Sequence, residues 1–255
     1  MISVFFSLQF RNRLTETVPF LPSLEITSRL FAVSHDGKFI FSGGHWDSSL
    51  CIYSLVKSKS ISSYIHHSNV ITCVALDSTG FFLVTGSRDT TCIIWYLLSN
   101  EDEKGSIVES TLTLHGHQSE VTCVSISSEL DLVASGSMDG TCNIYTVEHG
   151  EYIRTLKPTG DRYDPIVNVR LSEERHILVQ TEREETHLFL YSINGALIRT
   201  RKFDYRIIDI FLSNEFIILA VNQSSTLDVK EGFSKNQNAP LEVARIIIKN
   251  LFEYV

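Results

Sequence analysis

Hydrophobic and polar residues alternate along most of this chain instead of recurring every three or four positions. VITCVAL (70–76) and EVTCVSI (120–126) alternate around β-branched residues, the period of strands. In CIIWYL (92–97) both faces are apolar, with Ile93, Trp95 and Leu97 on one and Cys92, Ile94 and Tyr96 on the other. That pattern suits a strand covered on two sides. Asp139-Gly140 and Asn194-Gly195 fall between strand patterns and are type I′ hairpin signals, so neighbouring strands are expected to be antiparallel.

The alternation is organised in a repeat. Asp47, Asp89 and Asp139 each stand six positions before an aromatic residue, Tyr53, Trp95 and Tyr145, and each follows a small-Gly step: Ser42-Gly43, Thr85-Gly86 and Ser135-Gly136. The aspartates are 42 and then 50 residues apart, the second interval being lengthened by the polar insertion NEDEKGS (100–106). His67 and His117 precede their aspartates by the same distance. Each unit therefore reads as histidine turn, strand, small-Gly strand, aspartate turn, aromatic strand, hairpin and outer strand. Four short antiparallel strands per unit of about 40 residues predict an all-β fold, a β-propeller of four-stranded antiparallel blades.

Two weaker units follow. Residues 166–193 keep the strand pattern and the aromatic Tyr191, but Glu182 to Glu185 replace the Gly and Asp turn; residues 206–229 keep only the apolar strands IIDIFL and FIILAV. The division expected is an upstream strand or linker over 1–25, about five propeller units over 26–229, and a linker plus a last element over 230–255. In APLEVARIIIKNLFEYV (239–255), Leu241, Ala244, Ile248, Leu251 and Val255 suit one helical face, while VARIII equally suits the opening strand of a sixth unit.

Composition narrows the function classes. Twenty-two basic against thirty acidic residues give a net charge of −8, with no basic run to track a phosphate backbone, so nucleic acid is not an expected partner. Cys51, Cys73, Cys92, Cys123 and Cys142 form no CxxC pair and recur at matching repeat positions, as small buried strand residues of a reducing compartment do. MISVFFSLQF (1–10) is apolar, but it lacks a basic start, and Arg11 and Arg13 follow where a cleavage site would lie. No apolar run reaches the roughly 20 residues of a membrane span, so direct membrane insertion is not expected.

SHDGKFIFSGGHWDSSLCIYSL (34–55), VITCVALDSTGFFLVTGSRDTTCIIWYL (70–97) and HGHQSEVTCVSISSELDLVASGSMDGTCNIYTV (115–147) resemble WD repeats, and more specifically the C-terminal propeller of BEACH-domain proteins of the neurobeachin and neurobeachin-like type. The resemblance is strong over 25–158 and fades toward 229. It implies a cytoplasmic, non-catalytic scaffold in vesicle traffic or granule formation, peripheral to endomembranes. It also implies a larger ring than five units form, so an incomplete ring is expected. The BEACH and PH-like domains that precede the propeller in that family have no counterpart here, so a fragment, a short isoform or a truncated form of such a protein is expected.

The same resemblance supplies a structural tetrad: His67, Asp89, Trp95 and either Thr85 or Ser87 in unit two, with His117, Asp139 and either Ser135 or Ser137 in unit three, where Tyr145 replaces the tryptophan. Read as chemistry alone, His67, Asp89 and Ser87 could be the base, orienter and nucleophile of a hydrolase. Catalysis needs its constellation once, however, and this one recurs in the next unit. Sets such as His115, His117 and Cys123, or His66, His67 and Cys73, offer neither four ligands nor a CxxC clamp, so no metal and no cofactor is expected. The acidic turn Glu182 to Glu185 reads as a solvated loop, with a docking strip as its alternative. Just before each turn aspartate stand Trp46, Arg88 and Met138, large side chains where small polar ones are usual. Residue types of this kind are enriched in interfaces, so they predict a protein-docking rim on one propeller face.

Overall fold

The computed structural model describes the backbone over residues 26–100, 104–212, 216–224 and 242–250, and side chains over 26–98 and 110–212. The expected segment 1–25 and most of 230–255 lie outside the described residues. Unit one is the sheet β1 (Phe31–Val33), β2 (Phe39–Ser42), β3 (Leu50–Ser54) and β4 (Lys59–Tyr64). Unit two is β5 (Ile71–Leu76), β6 (Phe82–Ser87), β7 (Cys92–Asn100) and β8 (Lys104–Leu114). Unit three is β9 (Val121–Ser127), β10 (Leu132–Ser137), β11 (Cys142–Tyr145) and β12 (Tyr152–Leu156). Unit four is β13 (Ile166–Leu171), β14 (His176–Glu182), β15 (Thr186–Ser192) and β16 (Leu197–Phe203). Unit five holds β17 (Arg206–Leu212), β18 (Phe216–Ser224) and β19 (Glu242–Asn250).

Among the described residues every pairing is antiparallel between strands that follow one another in the chain, and no sheet shares a strand with another. Glu242–Asn250 pairs with β18, so this stretch is the third strand of unit five. Among the described residues no strand pairing closes the ring. Across its middle, Ser28 Oγ donates to Asp209 Oδ2 at 3.3 Å and Arg29 Nη2 to the Ile208 carbonyl at 3.3 Å, so the turn before β1 touches β17 without pairing to it. No helix among the described residues is long and apolar enough to cross a membrane.

The core lies in the seams between units, which is why strands such as β7 are apolar on both faces. Phe41, Leu50 and Ile52 of unit one pack on Ile71, Leu83, Ile93 and Trp95 of unit two; Val84, Cys92 and Ile94 then meet Val121, Val133 and Tyr145 of unit three. The small-Gly step has its reason here. A Cβ on Gly43, Gly86 or Gly136 would fall 2.6, 2.5 and 2.5 Å from a methyl of Ile71, Val121 and Ile166, the first inner-strand residue of the next unit. Glycine is a socket for that side chain. Beside it, Thr72 and Thr122 bond across the seam to the carbonyls of Val121 and Ile166.

The turns differ in one respect from the hairpin type expected. Gly140 and Gly195 are left-handed, at φ 78° and 79°, but Asp139 and Asn194 are not, whereas a type I′ turn needs both. In units two and three the residue after the aspartate closes a three-residue loop: Thr90 N bonds Ser87 O at 3.3 Å and Ser87 N bonds Thr91 O at 3.2 Å, with Gly140 and Ser137 repeating the pattern. Gly195 and Ser192 repeat it in unit four, and a three-residue loop of this kind puts the left-handed residue last, after the aspartate or asparagine.

Candidate functional site

The aspartate turn of unit two is built on a chain of hydrogen bonds. Asp89 Oδ1 accepts from Thr91 N at 2.9 Å and from Thr91 Oγ1 at 2.6 Å, while Oδ2 accepts from Ser68 N at 2.9 Å and meets His67 Nδ1 at 2.9 Å. On the far side of the ring, His67 Nε2 lies 2.8 Å from Thr85 Oγ1, to which Trp95 Nε1 donates at 2.9 Å. These partners define the tautomer. With Nδ1–H facing the carboxylate and the Thr85 hydroxyl donating to Nε2, every polar atom of the row is satisfied by a neutral imidazole. Burial lowers the His67 pKa despite the nearby Asp89 charge. Burial works in the opposite sense on Asp89, but hydrogen bonds from Thr91 and from the Ser68 backbone hold its carboxyl below the usual value.

Unit three repeats the row with one member missing. His117 Nδ1 stands 3.3 Å from Asp139 Oδ2 and 3.1 Å from Thr141 Oγ1, and Nε2 stands 2.8 Å from Ser135 Oγ. Tyr145 turns away and donates to the His115 carbonyl at 2.9 Å. Between the two candidates at each step, the histidines meet Thr85 and Ser135. Ser87 and Ser137 tie the turn to the backbone: Ser87 Oγ donates to Val70 O at 3.0 Å and accepts from Asp89 N at 3.1 Å, and Ser137 Oγ donates to Ser119 O at 3.1 Å. Ser87 is buried and makes no bond to His67, so nucleophile and base of the hydrolase reading are not brought together. Thr91 and Thr141 are members that sequence reasoning missed. Their signal is the spacing Asp-x-Thr, shared by both turns.

Next to this row stand the residues expected to form a rim. Arg88 N bonds Val70 O and Met138 N bonds Glu120 O, each at 3.0 Å, which fixes both residues at matching heights on neighbouring units. Trp46 is 56% exposed and Met138 42%. Arg88 Nε meets Glu120 Oε2 at 3.3 Å with both side chains partly exposed, an ion pair worth no more than about 1 kcal/mol. Tyr163, in the left-handed region at φ 51°, also stands exposed here; a Cβ on Gly140 would lie 2.6 Å from its Cα, so the loop before β13 rests on the turn of unit three.

The other candidate groups are placed as follows. His66 stacks on Trp95 with ring centres 5.0 Å apart. Cys73 and Cys123 are buried in the seams, where burial pushes the Cys73 thiol up to about 12 and raises Cys123 too. No group of three or more His, Cys, Asp or Glu among the described residues is arranged to hold a metal ion. In the acidic turn, Glu182 pairs with Arg206 at 2.7 Å and Glu185 with Lys202, while Arg183 reaches Asp164 at 3.5 Å.

Comparison with known proteins agrees with this architecture. The neurobeachin beta propeller domain family matches residues 13–231. BEACH domain-containing protein B of Arabidopsis thaliana is 32% identical over 82% of the chain, and BEACH domain-containing protein lvsE of Dictyostelium discoideum is 29% identical over 88%. A chain in the crystal structure of the mitotic checkpoint complex superposes with a TM-score of 0.62 at 17% identity, over 75% of this chain and 56% of that one, a likeness of fold. The sequence spans only 9% and 10% of the two BEACH proteins.

Proposed function

Because the chain belongs to the neurobeachin beta propeller family, we propose that it is a non-catalytic docking module of a BEACH-type protein, holding protein partners in membrane and vesicle traffic. The site is the rim at Trp46, Arg88 and Met138. The observation that carries this reading is Trp46, an indole more than half exposed at a turn position, with Met138 exposed at the equivalent place two units on. More than half of this indole is left uncovered by the blades, and tryptophan is a frequent hot spot of interfaces. Beneath the rim, His67, Asp89, Thr85 and Trp95 act as supports that keep the turn rigid. The reading places the module in the cytoplasm, at the surface of endomembranes and not within them.

The test is affinity capture of partners from cell extract by the parent chain and by a Trp46→Ala, Arg88→Ala double variant. Each substitution at a hot spot weakens a partner by about 2 kcal/mol or more, so partners are expected to be lost while the melting curve matches the parent. Undiminished capture by the folded double variant would reject the rim.

A further inference from the structure

Two adjacent outer strands share a short sequence. Tyr152-Ile153-Arg154-Thr155 opens β12, and Leu197-Ile198-Arg199-Thr200 opens β16. The pairing registers make them equivalent: Tyr152 faces Tyr145 and Arg154 faces Ile144 in one sheet, as Leu197 faces Tyr191 and Arg199 faces Leu190 in the other. In both sheets the register slips at this point, leaving Ile153 and Ile198 as the extra residues of β-bulges, a device that re-aims side chains at sheet edges. Tyr152, Leu197 and Ile198 are each at least half exposed, and Ile153 is exposed as well.

Arg154 joins the two pairs. Its Nη1 donates to the carbonyl of Asn194, in the turn between β15 and β16, and Gly195 lies so close that a Cβ there would stand 2.8 Å from the same nitrogen. Its Nε is buried with no hydrogen-bond partner, and among the described residues Arg154 makes no ion pair. A partly buried guanidinium that meets a carbonyl but no carboxylate lacks the group that best satisfies its planar fork.

We propose that this patch on the outer edge of units three and four binds an acidic, aliphatic segment of a partner protein. A carboxylate of the segment meets Arg154, and its apolar side chains cover Tyr152, Ile153, Leu197 and Ile198. Cations on outer strands also guard against sheet-to-sheet association, but four exposed apolar side chains around the cation work against that role. An anionic membrane fits less well, since lipid headgroups are held by clusters of about 4–8 cations. Arg199 and Arg201 of β16 add cations here, but Lys202 is paired with Glu185, and Glu148 and Glu151 immediately precede β12. The site is separate from the turn-aspartate rim, so either can fail without the other.

The experiment uses the whole chain with three probes: a fluorescein-labelled peptide alternating leucine and glutamate, the same peptide with glutamine for glutamate, and vesicles containing phosphatidylserine. The glutamate peptide is expected to bind at least about tenfold tighter than the glutamine one. Arg154→Met removes that preference, and Arg154→Lys, which keeps the charge without the fork, retains part of it. Leu197→Ser with Ile198→Ser, two exposed positions that leave the melt unchanged, weakens both peptides by about tenfold. Equal binding of the two peptides, a preference that survives Arg154→Met, or an inert serine pair would each overturn the proposal. Vesicle binding that depends on these residues while the peptides fail to bind would assign the patch to lipid and overturn it as well.

Discussion

Units two and four are the same four-stranded sheet built with different chemistry. The register sets His67, Thr85, Asp89 and Trp95 of unit two against Arg162, Val179, Arg183 and Tyr191 of unit four, so every member of the hydrogen-bonded row is gone. Gly86, the socket of unit two, is replaced by Gln180, and Cys73, whose sulfur borders that socket, by Asn168. The replacements are coupled. Asn168 Nδ2 donates to Gln180 Oε1 at 2.7 Å, and Gln180 Nε2 donates across the seam to Ile207 O at 3.1 Å, the place where the other units insert a methyl. Blade geometry therefore does not require the row; what the row adds is a fully satisfied turn. Unit four is less complete, with Asn168 Oδ1 and Thr181 Oγ1 buried without partners.

Three measurements break or sharpen this contrast. The largest effect is expected from Trp95→Ala, which empties the seam between units one and two and strips Thr85 of a donor; thermal melting should register a loss of about 3–5 kcal/mol. A loss below about 1 kcal/mol would mean the indole is not a structural member at all. Next, His67→Ala or Asp89→Ala should each cost about 1–3 kcal/mol by leaving buried partners unsatisfied. Arg162→Ala and Arg183→Ala, at the matching exposed positions of unit four, should stay within about 0.5 kcal/mol. Equal costs in the two units would erase the distinction.

The smallest effect is the response to acid. Burial lowers the His67 pKa below its unfolded value of 6.5, so the unfolded chain takes up a proton that the folded chain refuses, and stability falls as pH drops below 6.5. Asp89 is also lowered, from 3.8, which adds a second loss as pH falls through and below that value. A His67→Phe variant should be less stable at neutral pH but show a flatter decline between pH 6.5 and about 5, checked by chemical denaturation. Parallel declines for the two proteins would show that His67 is not the responsible group.

Much of this was legible because the repeat prints the same instruction several times. The Asp-to-aromatic interval, the small-Gly step and the two-faced strands located units one to three, and the family resemblance fixed their kind. Less legible was whatever depends on which of two like residues points inward. Thr85 and Ser87 lie two apart on one strand and share a face, and only the turn's height decides which of them meets His67. Unit four was legible as a weaker repeat through its strands and Tyr191, but its amide pair was not, because two residues twelve apart leave no motif at the turn. The last strand was ambiguous because EVARIIIKN satisfies both periods, and β18 as a pairing partner settles it as a strand. Tyr163 gave no signal, since its place depends on a glycine in another loop.

The glycine sockets also have a direction. In each of the first three seams the socket is on the earlier unit and the side chain that fills it on the later one: Gly43 receives Ile71, Gly86 receives Val121 and Gly136 receives Ile166. A chain synthesised from its amino end thus completes each receptacle before the residue that occupies it emerges, and the order of assembly coincides with the order of translation. Removing an early unit would leave an aliphatic side chain with no receptacle, and removing a late one would leave a receptacle open to water. The two truncations are not mirror images of each other.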